Sequence, residues 1–210
     1  MFILYWSTLA SSIAVHASLE QVKADYQLRF VDLAAKENRS ETYLSLNPTG
    51  HVPALTLPNG RTIGEAAAAI TLIGEMYPNS GLTPLHPDED RSNFLFWLNV
   101  IATSGGSAGT RCGHPYRFAS SQDAMDQVLE RARSDFDAVF DKLENAISGK
   151  PFFLASGLSG LDFYVTMYSE WHYDQNALFS SRPNVARLCG AVGKTDAYCA
   201  AMATHAMPST

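Results

Sequence analysis

The chain has 210 residues, 46% of them hydrophobic and 17% charged, a composition typical of a globular protein with one large domain or two small ones. A formal net charge of −6 argues against nucleic acid and anionic membrane surfaces as partners, and no apolar run approaches the ~18 residues of a membrane helix. The three cysteines lack metal-ligand spacing, which predicts no metal site and favours a reducing compartment.

The first 78 residues alternate short apolar runs with helical segments, the order of a thioredoxin-like α/β layer. The first strand, helix and second strand would form a parallel crossover unit. Asn59-Gly60, between two apolar runs, is a strong hairpin signal. The predicted strands are 2–6, 27–31, 54–57 and 61–63, and the predicted helices are 13–23, 40–45 and 65–77.

Residues 79–87 are rich in proline, glycine and polar side chains, and we predict a domain linker there. From 88 to 210 the strand signals nearly vanish, which predicts an all-helical domain. Ser159 and Asp162 have the spacing of a capping box. The predicted helices are 91–103, 122–148, one opened by the capping box, and two short ones from 183 and from 194; glycines at 104–109 are predicted to interrupt the first.

One stretch carries most of the chemical information, Asn47-Pro48-Thr49-Gly50-His51-Val52-Pro53-Ala54-Leu55. Its proline and glycine mark a turn before a strand. Pro53 has no N–H, and it pushes the residue before it towards an extended conformation. Val52 is therefore expected to offer a free N–H and C=O to a ligand. Ten residues after Leu55, Glu65 stands at the start of a predicted helix.

This pattern, with Gly64-Glu65-Ala66 after the hairpin, resembles the glutathione-binding half of a glutathione S-transferase. The resemblance extends into the helical half through Lys150-Pro151-Phe152-Phe153-Leu154 and the capping box. It implies the two-domain fold of that family, glutathione as co-substrate, and a homodimer. It also implies a cis Pro53, Val52 pairing with the cysteinyl part of glutathione, and Glu65 holding the γ-glutamyl ammonium.

The residues from Ser7 to His16 are similar to the S-P-G-A-C-S-x-A-V-H start of bacterial beta-class transferases, with Ser11 in place of the catalytic cysteine. The resemblance therefore implies that a hydroxyl, not a thiol, stabilises the glutathione thiolate. Ser11 is the first candidate and Tyr5 the second, with Ser12 and Ser7 as further alternatives. A plain helix N-cap is the structural alternative for Ser11.

Three more residues are implied for the tripeptide. Ala66 replaces the usual serine, so only its N–H remains for the γ-glutamyl carboxylate at a helix N-terminus. Lys36 aligns with a lysine that meets the glycine carboxylate in bacterial relatives, and His51 is close enough in sequence to reach the same group. Solvated surface positions are the alternative for Lys36 and His51.

The second substrate is expected to be a small hydrophobic electrophile bound along the helix from residue 91 onward. Beta-class members carry a His-Lys pair there, and this chain has Gly106-Ser107. The candidate lining residues are Thr103, Ser107, Arg111 and Tyr116.

These observations predict a cytoplasmic, homodimeric glutathione transferase acting in detoxification. Two alternatives stay open at this point. One is a glutathione-dependent ether-cleaving enzyme or isomerase on the same fold, and the other is a non-catalytic binding protein that keeps the glutathione motif. Ala66 and the missing His-Lys pair favour the second alternative, and the intact Val52-Pro53 and Glu65 argue against it.

Overall fold

A computed structural model describes residues 1–206. The sheet has four strands in the order β2-β1-β3-β4. Strand β1 pairs in parallel with β2 and antiparallel with β3, and β3 pairs antiparallel with β4 across the Asn59-Gly60 turn. The parallel crossover and the hairpin predicted from the sequence are confirmed. The strands are β1 Phe2–Trp6, β2 Tyr26–Phe30, β3 Ala54–Thr56 and β4 Thr62–Ile63.

Three helices accompany this sheet, and their limits lie within a few residues of the prediction. Ser40 caps the second of them, because its side chain accepts a hydrogen bond from the Tyr43 N–H. The core of this region consists of large apolar side chains, among them Phe2, Leu4 and Ile70, that are fully buried. The helices are α1 Ser12–Gln21, α2 Glu41–Leu46 and α3 Ala66–Met76.

The rest of the described chain is helical, as the sequence predicted. The capping box is present, with Asp162 accepting from both the N–H and the hydroxyl of Ser159. The sequence analysis missed α8, although Asp174 caps it by accepting from the Ala177 N–H. The helices are α4 Asp90–Val100, α5 Gly106–Gly113, α6 Gln122–Ala146, α7 Gly160–Glu170, α8 Gln175–Ser181, α9 Pro183–Val192 and α10 Asp196–His205.

The predicted interruption at 104–109 is wrong. Residues Ile101–Gly105 form a π-helix that joins α4 to α5, and the Gly106 N–H donates to the Ile101 carbonyl five residues earlier. The glycines serve packing instead of a break, because a Cβ at Gly106 would lie 3.2 Å from the hydroxyl of Tyr168. A π-helical turn adds one residue to a helix without ending it.

Contacts divide the chain into two compact units, and the division falls between Leu85 and His86, inside the predicted linker. The chain from Gly193 onward packs with the first unit, whereas the prediction placed it in the helical domain 88–210. The physical reason is that α10 packs against α1 within that unit. Within residues 1–206, no helix is both long and apolar enough to cross a membrane.

Candidate glutathione site

Ser11 and Val52 lie 41 residues apart in sequence and are joined directly in the structure. The Ser11 hydroxyl donates a hydrogen bond of 3.0 Å to the Val52 carbonyl. Ser11 immediately precedes α1, yet its side chain makes no capping hydrogen bond to that helix. The N-cap alternative therefore does not describe what the hydroxyl does. Its oxygen is directed at the residue before Pro53.

The Val52-Pro53 peptide bond is cis, as the family resemblance implied. Strand β3 begins one residue later, where Ala54 pairs with Tyr5 of β1. Across residues 1–206, the Val52 N–H donates no hydrogen bond. One free donor and one carbonyl are thus presented at a fixed point beside the sheet, and together they match the donor and acceptor of an extended peptide ligand.

The turn before Val52 is held by two side chains that bond the same carbonyl. The Tyr43 hydroxyl donates to the His51 carbonyl at 2.7 Å, and the Asn47 amide donates to it at 2.8 Å. Burial raises the pKa of Tyr43 to about 12, so its hydroxyl keeps its proton. The Asn47 side chain also accepts from the N–H and hydroxyl of Thr49.

Tyr43 and Asn47 were not predicted as site residues. Asn47 had a visible signal, because an asparagine two residues before a turn residue commonly accepts from its N–H. Tyr43 had none, since its partner depends on the packing of α2. The turn is also tied to the β2–α2 connection, where Asn38 donates to the Gly50 carbonyl at 2.7 Å. Gly50 adopts a left-handed φ of 64°, which favours glycine.

Glu65 stands directly before α3 with a left-handed φ of 62° and ψ of 110°. Such a conformation is unusual for a residue with a side chain. Its carboxylate is exposed and makes no hydrogen bond within the described chain, so it is available to a cation. The first intrahelical bond runs from Ala69 to the Glu65 carbonyl, which leaves the Ala66 N–H at the helix N-terminus for an anion.

Tyr5 is half-buried in a cluster formed by Val31, Tyr43, Ala54 and Val52. Its ring meets that of Tyr43 edge-on, with centroids 6.0 Å apart. The structure therefore gives Tyr5 a packing role on β1. The hydroxyl has no hydrogen bond that links it to Ser11 or Val52.

Lys36 and His51 are both exposed. Lys36 has a left-handed φ of 59° and caps a short 3-10 helix, and no ion pair involves its ammonium among residues 1–206. The His51 carbonyl is fully used by the turn, while its ring makes no hydrogen bond in the described chain. No contact joins either side chain to Ser11 or Glu65, so the structure leaves both as charged or polar groups at the surface of the first unit.

The two alternative serines, Ser7 and Ser12, are both buried. Ser12 is fully buried, and its hydroxyl accepts from the Ser7 N–H at 3.4 Å. Ser7 is also buried, and its carbonyl accepts from the Ala10 N–H at 3.3 Å. Between them Leu9, in the position of the glycine of the beta-class pattern, has a left-handed φ of 48°. Leu9 therefore adopts a backbone conformation that favours glycine.

In the second unit, three of the four predicted electrophile-binding residues line one open groove of about 470 Å³. The Thr103 hydroxyl donates to the Asn99 carbonyl, and the Arg111 guanidinium donates to the Ser107 carbonyl and to Asp135. Tyr116 does not line this groove; it is exposed, and its hydroxyl pairs with His114 at 3.3 Å. The complete lining is Thr103, Ser104, Ser107, Arg111, Asp135, Ala138, Val139 and Lys142.

Known proteins share both the sequence pattern and the fold. A family model for the glutathione S-transferase N-terminal domain matches residues 12–76. A glutathione S-transferase of Escherichia coli O157:H7 is 25% identical over 171 residues, which cover 81% of this chain and 82% of that protein. A solved beta-class transferase of Sphingomonas chungbukensis is 26% identical, with a TM-score of 0.81 and coverage of 97% and 98%. The chain thus resembles glutathione S-transferases in sequence and has their fold.

A third relative bears on the ligand. A sphingomonad glutathione S-transferase, solved in complex with glutathione, is 26% identical, with a TM-score of 0.83 and coverage of 98% of this chain and all of that one. The predicted resemblance and fold class are both confirmed. Position 11 of this chain is a serine, where the beta-class start quoted above has cysteine.

Proposed function

We propose that this chain is a glutathione transferase that binds glutathione beside Val52 and uses Ser11 to stabilise its thiolate. The observation that carries the proposal is the 3.0 Å hydrogen bond between the Ser11 hydroxyl and the Val52 carbonyl. It joins the residue expected to activate sulfur to the residue expected to hold the cysteinyl backbone. The family relationship supports glutathione as the co-substrate.

The residues present fit the charges of the tripeptide. The free Val52 N–H and its carbonyl would pair with the cysteinyl backbone, and the exposed Glu65 carboxylate would hold the γ-glutamyl ammonium. The Ala66 N–H at the start of α3 would donate to the γ-glutamyl carboxylate. Because alanine lacks the serine hydroxyl, one hydrogen bond is absent, at a cost of about 1 kcal/mol in affinity. Lys36 and His51 are proposed partners of the glycine carboxylate.

The chemical step needs glutathione as a thiolate. A free thiol has a pKa of about 8.5, and the protein must lower this pKa by roughly two units for the thiol to be mostly ionised at pH 7. That shift corresponds to about 2.7 kcal/mol of preferential stabilisation of the thiolate. In the proposal, the Ser11 hydroxyl turns from the Val52 carbonyl to the sulfur, while the cysteinyl N–H takes its place on that carbonyl. A hydrogen bond from the Ser11 hydroxyl and the helix dipole at the N-terminus of α1 can together stabilise the thiolate by an energy of this size.

The reaction then balances without a further reagent. The thiol releases its proton to solvent, and the sulfur lone pair attacks an electrophilic carbon. A carbon–sulfur bond forms as the bond to the leaving group breaks, and the leaving group departs with that electron pair. Thr103, Ser107, Arg111 and Tyr116 are the proposed contacts of a small hydrophobic electrophile. A cytoplasmic location, a homodimer and a role in detoxification are further parts of the proposal.

A second candidate is a protein that binds glutathione without turning it over. The same hydrogen bond favours it, because a Ser11 hydroxyl that stays on the Val52 carbonyl has no proton to offer to sulfur. An ether-cleaving enzyme or isomerase would share the whole glutathione site. It differs from a conjugating transferase only in the second substrate, so a substrate screen separates the two.

The test combines calorimetry with glutathione and turnover of an activated aryl chloride, on the wild type and on Ser11→Ala. Ser45→Ala is the matched control, because it removes an exposed serine hydroxyl that bonds the Thr42 carbonyl of its own helix, away from the turn. We expect glutathione binding by all three proteins. Because Ser11 acts on the thiolate, we expect kcat/KM to fall about 10- to 100-fold in Ser11→Ala alone, which equals about 1.4–2.7 kcal/mol.

Binding without turnover of the aryl chloride, of an aryl ether or of a maleyl-type double bond by the wild type would favour the second candidate. Turnover that survives Ser11→Ala would move the thiolate role to another hydroxyl, with Tyr5→Phe as the next variant. Absence of glutathione binding by the wild type would contradict both candidates.

A further inference from the structure

The turn that presents Ser11 is anchored at its first residue, Ser7. The Ser7 N–H donates to the Ser12 hydroxyl, and the Ser7 carbonyl accepts from the Ala10 N–H. Helix α1 then continues from Ala10, whose carbonyl accepts from the Ile13 N–H at 3.1 Å. Ser11 therefore has bonded residues on both sides, and its position depends on where the Ser7 carbonyl is held.

A second donor reaches the same carbonyl from the far end of the chain. The Nδ1 atom of His205, in the last turn of α10, lies 3.1 Å from the Ser7 carbonyl oxygen across 198 residues of sequence. His205 is fully buried, and its ring packs against that of Trp6 with centroids 4.9 Å apart. A carbonyl oxygen can only accept, so Nδ1 must carry the proton.

The neighbouring histidine has a defined tautomer for a similar reason. The Tyr26 hydroxyl donates to the Glu20 carboxylate, so its oxygen accepts from Nε2–H of His16, 2.8 Å away. That leaves a lone pair on Nδ1 of His16 and another on Nε2 of His205, both buried without a hydrogen-bond partner. The two rings lie 5.6 Å apart.

We propose that His205 is a positioning residue for Ser11, because its Nδ1–H fixes the Ser7 carbonyl and with it the turn from Ser7 to Ser12. The proposal rests on the proposed function for its catalytic consequence. Its structural part, the anchoring of the turn by a donor on α10, does not depend on glutathione. A buried ring without that donor would fill the same space and leave the carbonyl with the Ala10 N–H alone.

The titratable groups around His205 set the charge of the histidine pair. The titratable ring beside His205 is that of His16 on α1, which bonds the Tyr26 hydroxyl of β2, and that hydroxyl donates to Glu20 of α1. Burial lowers the pKa of His205 to about 4, with the adjacent His16 as the second cause, and burial also lowers the pKa of His16. Because both pKa values lie below the ordinary histidine value of 6.5, both rings are neutral at pH 7, and the tautomers are those required by the bonds.

The experiment uses two variants of the full chain. His205→Asn retains an N–H donor at the position of Nδ1, whereas His205→Phe retains a ring and loses the donor. Amide exchange of the segment 7–13 is measured at pH 7, together with kcat/KM for the glutathione reaction. We expect His205→Phe to exchange this segment at least 10-fold faster and to lose kcat/KM about 10-fold, and His205→Asn to restore most of both.

Equal exchange of the segment in the wild type and His205→Phe would overturn the proposal. So would a His205→Asn protein that behaves like His205→Phe, because the ring and not the donor would then be what matters. If the wild type does not bind glutathione, the proposed function fails, and the exchange measurement still decides whether His205 anchors the turn. Exchange that rises across the whole chain in His205→Phe alone would contradict an effect specific to the turn.

Discussion

The turn that carries Ser11 and Val52 differs from the groove that carries Thr103, Ser107 and Arg111 in how its residues are held. In the first region the defining hydrogen bonds join distant parts of the chain, 41 residues apart for Ser11 and Val52. In the second, the Thr103 hydroxyl and the Arg111 guanidinium each bond a carbonyl only four residues away, and Arg111 also reaches a distant residue, Asp135, 24 positions along the chain.

The difference has a consequence for specificity. A region fixed by long-range bonds presents its groups at one geometry, and removal of an anchor is felt at the site. A groove residue such as Thr103, whose side chain bonds only the preceding helical turn in the described chain, can be replaced without disturbing the frame of the groove. A rigid region suits a co-substrate that stays the same, and an adaptable groove suits a second substrate that varies.

The largest expected effect concerns acid stability of the first region. His205 has a pKa of about 4 in the folded protein and about 6.5 in the unfolded chain, so between these values the unfolded state binds more protons. Stability is therefore full above pH 6.5 and falls as the pH approaches 4, by about 3 kcal/mol.

Urea unfolding at several pH values, on the wild type and His205→Asn, measures this loss. The difference in unfolding free energy between the two proteins should change with pH between 6.5 and 4 as expected for the uptake of one proton on unfolding. Parallel curves would mean that His205 takes up its proton in the folded protein as easily as in the unfolded chain.

The next effect compares two asparagines. Asn47 is buried and its side chain makes three hydrogen bonds in the turn, so Asn47→Ala should cost about 2 kcal/mol and weaken glutathione binding several-fold. Asn99 is exposed and bonds only the Leu95 carbonyl of its own helix. Asn99→Ala should change stability by less than about 0.5 kcal/mol, because alanine favours the helix.

Thermal unfolding and calorimetry check this pair. Equal losses of unfolding free energy in Asn47→Ala and Asn99→Ala would contradict the difference between the two regions.

The sequence predicts features that arise from local motifs, and it does not predict those that depend on contacts between distant residues. The hairpin follows from Asn59-Gly60, whose residue types suit a tight turn. The cis Pro53 and the pairing of Ser11 and Val52 in one site were implied only by the family resemblance. The anchors Tyr43 and His205 were missed because a side chain that bonds a distant carbonyl leaves no periodic signal. The π-helix was missed because Gly105 and Gly106 look like a break, whereas in the structure they make room for Tyr168.

A smaller effect is expected in the turn itself. Leu9 is 53% exposed and has a left-handed φ of 48°, a conformation that costs a leucine about 1–2 kcal/mol. Leu9→Gly removes this cost and adds freedom to the unfolded chain, for a net gain of about 0.5–1 kcal/mol. Leu33→Gly, at another exposed leucine without a positive φ, is the control and should be destabilising. A loss of stability in both variants would contradict the assigned strain.

The smallest effect is expected in the groove. Thr103→Val removes an exposed hydroxyl that bonds the Asn99 carbonyl of its own helix, so stability should change by less than about 0.5 kcal/mol. Glutathione affinity should be unchanged, while the relative kcat/KM for polar and apolar electrophiles should shift a few-fold. A loss of glutathione affinity measured by calorimetry would show that the two regions are not independent.

The most direct measurement of the central claim is the pKa of bound glutathione, read from the ultraviolet absorbance of its thiolate between pH 5 and 9. We expect a value roughly two units below 8.5 in the wild type and a return of at least one unit towards 8.5 in Ser11→Ala, since one unit equals about 1.4 kcal/mol. The same pKa in both proteins would contradict the role of Ser11.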